Sequence, residues 1–259
     1  MQQVLLLWEA QRHVAVRAPY MCLYEFCCTK MQFCSDSIQY TNITVLGIEQ
    51  SGVCVYNLCE GVDIMTLQEK ALKIKEKITS TVSPGAERRE ALCYVDTLAA
   101  LGHGVMKTQA GKPDWEDRDR LVIAPGACTL ACRAAQLEAD AHAAAAGEAL
   151  ALAVDMALKA RADIKIYKTY TLIGQEDCLS GSLWENAIRA SENMLEDLTV
   201  ILCRDGGEIL SGADNICAKF SAFGFDTLSA DGTEPNAVGL SLFLPRRSHK
   251  PLFVCCDVK

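Results

Sequence analysis

The sequence predicts an α/β protein, a doubly wound and mostly parallel sheet with helices on both faces. Two observations carry this. Arg120-Leu121-Val122-Ile123-Ala124 and Leu198 to Cys203 are short, almost wholly apolar runs, as expected of strands covered on both sides rather than washed on one. Between these runs lie stretches of helical periodicity, and strands that alternate with helices pair in parallel through crossovers.

The elements follow in order. Leu67, Ala71, Ile74 and Ile78 recur at helical spacing with Lys and Glu opposite, which makes an amphipathic helix from Met65 onward. A second helical pattern covers Glu87 to Met106 and stops among Gly102, Gly104 and the following turn residues. Arg120–Ala124 is a strand stopped by Pro125-Gly126, and the Ala-rich stretch from Cys128 to Ala162 reads as helix broken near Gly147. Lys165–Ile173 is a strand ending at Gly174, Ser182–Leu195 a helix, and Leu198–Cys203 a strand. Phe223–Leu228 and Pro251–Cys255 supply the last strands. Residues 1–62 show no sustained period of either kind. We treat them as an unassigned N-terminal extension to a domain spanning 63–259, with Met65 as a candidate older start. Within the extension, Ile43–Ile48 and Val53–Tyr56 are β-prone and suit a hairpin across Glu49-Gln50-Ser51-Gly52.

Composition narrows the function classes. Half of the residues are hydrophobic and 22% charged, so the chain can bury a core. The net charge of −8 is spread without basic blocks, which argues against nucleic acid and anionic membranes as partners. No apolar run reaches the roughly 18 residues of a membrane span, and Val4–Trp8 is too short for a signal core, so a cytoplasmic protein is expected. The 14 cysteines fall at irregular intervals, the pattern of reduced, buried thiols rather than of a disulfide framework or a zinc site.

In a doubly wound sheet, ligands bind beyond the carboxyl ends of the strands. That directs attention to Gly174-Gln175-Glu176-Asp177 and to Arg204-Asp205-Gly206-Gly207. If their strands are neighbours, an amide oxygen of Gln175 and the carboxylate of Asp205 come close enough to begin a Mg²⁺ site holding a diphosphate. Taken alone, a carboxylate at a strand end followed by two glycines is more often just a turn.

The phrase Lys112-Pro113-Asp114-Trp115-Glu116-Asp117-Arg118-Asp119-Arg120-Leu121-Val122 resembles the transketolase phrase Pro-Lys-Trp-(Glu/Asn)-Asp-Arg-Asp-Arg-Phe-Val. Further matches follow in order. Gly174–Glu185 resembles Gly-Asp-Gly-Glu-Leu-Gln-Glu-Gly-Gln-Val-Trp-Glu, and Asp197–Ile201 resembles the strand leading to Asp-Arg-Asn-Gly. Phe220–Gly232 resembles a later Phe-Gly-Trp segment ending in Asp-Gly. The resemblance runs from Met65 to Lys259, roughly three quarters of the chain, and is to the N-terminal, thiamine-diphosphate-binding half of a transketolase.

That resemblance implies the thiamine-diphosphate-binding fold and transfer of two-carbon ketol units between sugar phosphates. The cofactors it implies are thiamine diphosphate and Mg²⁺. The cofactor-binding positions fall at Gly147, Gly174, Gln175 and Glu176, and the metal positions at Gln175, Asp205 and Gly207. It also implies homo-oligomers, or a complex with a separate C-terminal subunit supplying the glutamate that activates the aminopyrimidine. A dimer contact along the Ala-rich helix is expected, where small residues allow close approach.

The departures from the family pattern are concentrated at the site. Gln175 replaces the Asp of Gly-Asp-Gly and Asp205 the later Asn, which moves the charge across the metal site. Glu176 replaces the second Gly and brings a carboxylate toward an anionic diphosphate. Glu87 or its neighbours and Ala127 stand where the family has histidines, and His13, His103, His142 and His249 match neither position. Ala144-Ala145-Ala146-Gly147-Glu148-Ala149 replaces a Gly-Ser-Leu-Gly-Gln-Gly loop. No residue is therefore assigned a catalytic role. The expectation is a catalytically impaired transketolase-like subunit or, as the alternative, a scaffold without cofactor.

Overall fold

The computed structural model describes residues 43–49, 52–58, 66–109, 115–205, 215–243 and 248–258. The first two segments are strands β1 (Ile43–Glu49) and β2 (Gly52–Leu58), which pair in a two-stranded sheet of their own. They extend slightly beyond the two β-prone runs. The remainder of residues 1–62, His13 among them, lies outside the described residues.

The rest is built on a six-stranded sheet in the order β4-β3-β5-β6-β8-β7. Its strands are β3 (Arg120–Ile123), β4 (Ala141–Ala143), β5 (Thr169–Ile173), β6 (Leu198–Asp205), β7 (Asp226–Asp231) and β8 (Leu252–Val258). Every neighbouring pair is parallel. The helices are α1 (Leu67–Thr81), α2 (Ala86–Cys93), α3 (Val95–Ala100), α4 (Ala127–Ala134), α5 (Ala149–Ala162), α6 (Gly181–Glu192), α7 (Ile216–Ala222) and α8 (Pro235–Phe243).

Successive residues of a strand point to opposite faces, and the two cores divide accordingly. Leu121, Ile123, Tyr170, Leu172, Ile201, Val254 and Cys256 meet α1 to α4 and α8 on one side. Val122, Ile173, Val200, Leu202, Phe253 and Cys255 meet α5, α6 and α7 on the other. The predicted doubly wound sheet is therefore the observed one. Buried Leu67, Ala71, Ile74 and Ile78 form the inner face of α1, as their spacing requires. Thr66 caps that helix: its hydroxyl accepts the Glu69 N–H, and the Glu69 carboxylate accepts the Thr66 N–H at 2.8 Å, closing a capping box.

The structure departs from the sequence-based elements in three places. The Glu87–Met106 helix is divided into α2, α3 and a π-helical turn over Leu101–Val105. The Ala-rich stretch is not one broken helix but α4, the edge strand β4 and α5. Gln136, at φ 61°, turns the chain out of α4, and Ala141-His142-Ala143 then pairs with β3 alone. Pairing rather than propensity makes this strand, since alanine favours helix. Helices α7 and α8, on either side of β7, had no sequence-based counterpart, and β7 begins at Asp226 rather than at Phe223, which caps α7.

The alanines of α5 serve the chain's own packing: Ala149, Ala153 and Ala157 are buried in the core shared with the sheet and α6, and Ala160 is buried as well. Cys93, Cys128, Cys132, Cys178, Cys203, Cys217, Cys255 and Cys256 are free thiols, and all of these but Cys217 are buried. They act as small core side chains.

The transketolase-like phrase closes the bottom of the sheet, where β3 and β5 begin. Asp119 is 4% exposed. One of its carboxylate oxygens accepts the Lys107 N–H at 2.7 Å and the other the Lys168 N–H at 2.8 Å. Arg120 donates to the carbonyls of Arg118 and Glu116 and lies 4.6 Å over the Tyr167 ring. Arg118 pairs with Asp140 at 3.3 Å. These residues stitch loops to strand starts and face away from any ligand crevice.

Candidate functional site

The crevice is placed by topology. From β3 the chain crosses through α4 to β4 on one side, whereas from β5 it crosses through α6 to β6 on the other. The carboxyl ends of β3 and β5 are therefore a switch point, where the two connections diverge and leave an opening. Four pieces of chain surround it: the Pro125-Gly126 turn before α4, the 144–148 loop before α5, the 174–180 loop before α6, and α2 with the start of α3.

Gly174 ends β5. A side chain here would meet the Tyr94 hydroxyl, 2.8 Å from an ideal Cβ position, so only glycine lets Tyr94 lie across the strand end. Gly147, at φ +74°, adopts a conformation that glycine tolerates best, and a Cβ there would come within 2.8 Å of the Ser180 hydroxyl. The two glycines bring two loops together, and Asp177 joins them. Its Oδ2 accepts the Gly174 N–H at 2.8 Å and its Oδ1 the Gly147 N–H at 3.2 Å. A second bridge runs from the Ser182 hydroxyl to the Glu148 carboxylate at 3.2 Å.

Asp177 lies in a 3₁₀ turn, Glu176–Leu179. The turn is held by Ser180 N–H donating to the Asp177 carbonyl at 3.0 Å and by the Trp184 indole donating to the Cys178 carbonyl at 3.1 Å. Trp184 is half-buried and packs its ring against Phe220 and Phe223, while Leu183 is fully buried. The turn is thus anchored in the second core.

Gln175 and Asp205 lie together at the ends of the neighbouring strands β5 and β6. The Gln175 Nε2 donates to the Asp205 backbone carbonyl at 3.3 Å, and its buried Oε1 has no hydrogen-bond partner. Gly207 lies outside the described residues. Glu176 is exposed at the rim. Arg204, the cation at this end of β6, is engaged by Asp257 of β8 at 2.5 Å. Among the described residues, no group of three or more His, Cys, Asp and Glu side chains is arranged to hold a metal ion.

The electrostatics are acidic. Burial, followed by the carboxylates of Glu176, Glu87 and Asp177, holds the Glu90 carboxyl on α2 above its usual range. Burial, with Asp205 and Glu90 adding to it, pushes the Cys93 thiol up to about 11. The Cys178 thiol is pushed up to about 12 by burial and then by Asp177. Neither thiol is a ready nucleophile, because the thiolate is the reactive form.

The described histidines are elsewhere. His142 is in edge strand β4, with Arg118 and Arg120 as charged neighbours, and His249 pairs with Glu196 at 2.6 Å ahead of β6 and β8. His103 is half-buried in the π-helical turn, and burial, with Lys70 adding to it, lowers its pKa to about 4. Its folded pKa is depressed, so its contribution to stability is intact above the unfolded value near 6.5 and is lost as the pH falls toward 4. His103→Gln removes this loss. The wild type should lose about 2 kcal/mol relative to His103→Gln between pH 7 and 4 in urea titrations, and parallel curves would refute the assignment.

Glu87 lies in the first turn of α2 and Ala127 opens α4, where it is buried. Sequence reading named Asp177 only as the end of the Gly174–Asp177 stretch, without a role, and did not name Tyr94 or Glu90. For Asp177 a signal was present, an Asp three residues past the strand-end glycine, from where its side chain can reach back to that N–H.

No family model matches the chain. Over 179 residues it is 26% identical to one of the subunits of the apulose-4-phosphate transketolase of Phocaeicola vulgatus, a match covering 55% of this chain and 63% of that protein. It is 24% identical over 209 residues to a transketolase family protein of Sinorhizobium fredii, covering 66% of this chain and 75% of that one. Among solved structures, transketolase from Campylobacter jejuni superposes with a TM-score of 0.60 at 20% identity, covering 74% of this chain and 37% of that one. Transketolase from Leishmania mexicana gives a TM-score of 0.60 at 19% identity, covering 75% and 37%. The chain therefore resembles transketolases in fold, and its match spans under two thirds of the Phocaeicola protein and little more than a third of the solved enzymes. Partial coverage of this kind fits their N-terminal domain. No helix among the described residues is long and apolar enough to cross a membrane.

Proposed function

We propose that the chain, from about residue 63, is a transketolase-like N-terminal subunit that assembles in the cytoplasm with a separate C-terminal subunit. In that assembly it contributes fold and interface rather than a working thiamine diphosphate site. The partner is suggested by the Phocaeicola relative, which is named as one subunit of its enzyme.

The observation that carries the reading is the double acceptance by Asp177 of the Gly147 and Gly174 N–H groups. Thiamine diphosphate, when bound, supplies the carbanion-stabilising chemistry of ketol transfer. Its diphosphate needs donors and room at this loop, and here the two backbone donors are taken, Glu176 adds a carboxylate at the rim, and Glu90 faces the same space. The residues present do not fit a diphosphate.

Calorimetric titration of the folded chain with thiamine diphosphate and Mg²⁺ is expected to give no binding heat. A transketolase C-terminal subunit is expected to co-elute with the chain in gel filtration. Micromolar, Mg²⁺-dependent cofactor binding would overturn the reading. It would favour a second one, a cofactor-bearing subunit that takes part in ketol transfer between sugar phosphates. The unpartnered Gln175 Oε1 beside Asp205 speaks for that alternative, because a cation there would satisfy it.

A further inference from the structure

We propose that Asp177 is a resident anion. Its carboxylate fills the anion position of the switch-point crevice, locks the 147 and 174 loops together, and thereby excludes phosphate-bearing ligands from outside. The inference rests on the reading of the chain as a transketolase-like subunit with a closed crevice.

Backbone N–H groups converging from separate loops at a strand–helix junction make an anion-binding concavity. In this chain two such groups, from loops that are 27 residues apart in sequence, point at one carboxylate, 3.2 Å from Gly147 N and 2.8 Å from Gly174 N. The carboxylate is tethered. Its turn is fixed by the Ser180-to-Asp177 backbone bond and by Trp184 on the Cys178 carbonyl, and Trp184 is seated against Phe220. A tethered anion competes at high effective concentration against any free one. An incoming phosphate would also meet Glu176 and Glu90, whose carboxyl is already held above its usual range by burial and then by Glu176, Glu87 and Asp177. Glu176 is exposed and makes no bridge between the loops, which separates its role from that of Asp177. The closure is thus built from a single side chain with two acceptor oxygens, and it is removable.

The test uses the full chain, labelled with ¹⁵N, and inorganic pyrophosphate with Mg²⁺ as the probe, following the Gly147 and Gly174 amide resonances. In the wild type neither amide should move at millimolar pyrophosphate. In Asp177→Ala both should move together, with binding at least tenfold tighter than in the wild type, and Glu176→Gly alone should behave as wild type. A folded Asp177→Ala whose two amides do not respond overturns the proposal. So does pyrophosphate binding by Glu176→Gly alone, or equal binding by the wild type. If Asp177→Ala does not fold, Asp177→Ser carries the same expectations, because its hydroxyl can still cap the turn while the charge and the reach to Gly147 are gone. Binding of thiamine diphosphate by the wild type would sink the underlying functional reading. Silence from both wild type and Asp177→Ala would sink only the resident-anion proposal.

Discussion

Asp119→Ala should lower the unfolding free energy by about 3 kcal/mol, because it removes a buried carboxylate that accepts two part-buried N–H groups, and a hydrogen bond to a charged group contributes roughly 1.5–3 kcal/mol. The Lys107 and Lys168 amides point at the two oxygens of this carboxylate from opposite sides of the β3 start. Burial holds the Asp119 carboxyl above its usual range despite both donors and the two nearby lysines. Asp119→Asn keeps one acceptor oxygen and turns an amide NH₂ toward the other donor, so it should fall between alanine and wild type. Urea unfolding of the three proteins checks this order. A shift for Asp119→Ala under about 0.5 kcal/mol, the usual range of surface changes, would show that the clasp is dispensable.

Phe220→Ala should cost about 3–5 kcal/mol, the range for a buried Phe truncated to Ala. Phe220 is fully buried on α7 and stacks on Phe253 of β8 at 4.0 Å between ring centroids. It also meets the edge of Phe225 at 5.1 Å and Trp184 at 5.3 Å. Against a total stability of about 5–15 kcal/mol, losing this side chain should bring the thermal midpoint down sharply. Phe220→Leu refills most of the space and should cost about 1–2 kcal/mol. Equal midpoints for the alanine and leucine variants would mean that the cluster is not packed as described. Since Trp184 also anchors the turn carrying Asp177, Phe220→Ala should loosen that turn as well, seen as faster hydrogen exchange at Cys178 and Ser180.

Together these residues separate two roles within the transketolase-like text. Asp119, Arg118 and Arg120, from its most specific phrase, tie strand starts together at the bottom of the sheet. The departures, Gln175, Glu176 and Ala127, stand at the opposite end, around the crevice. A chain can keep the first set to hold its fold while the second set changes freely, because the two ends of a parallel sheet share strands but not side-chain contacts.

Periodicity and apolar runs alone determined α1, the β3, β5 and β6 strands, and the doubly wound class. Each of these depends on which faces of a local segment must leave water, and that is written in residue spacing. The same local rules misread residues 128–162. The alanines favour helix, and only the hydrogen-bond partners offered by β3 turn Ala141–Ala143 into an edge strand. Gln175 and Asp205 could be named from strand ends, but that their strands are adjacent is a property of sheet order. Tertiary structure alone decided the state of the crevice. Asp177 closes it by accepting N–H groups from Gly174, three residues away, and from Gly147, thirty residues away. The second of these bonds exists because α5 and α6 pack on one face of the sheet and bring their preceding loops to the same strand end.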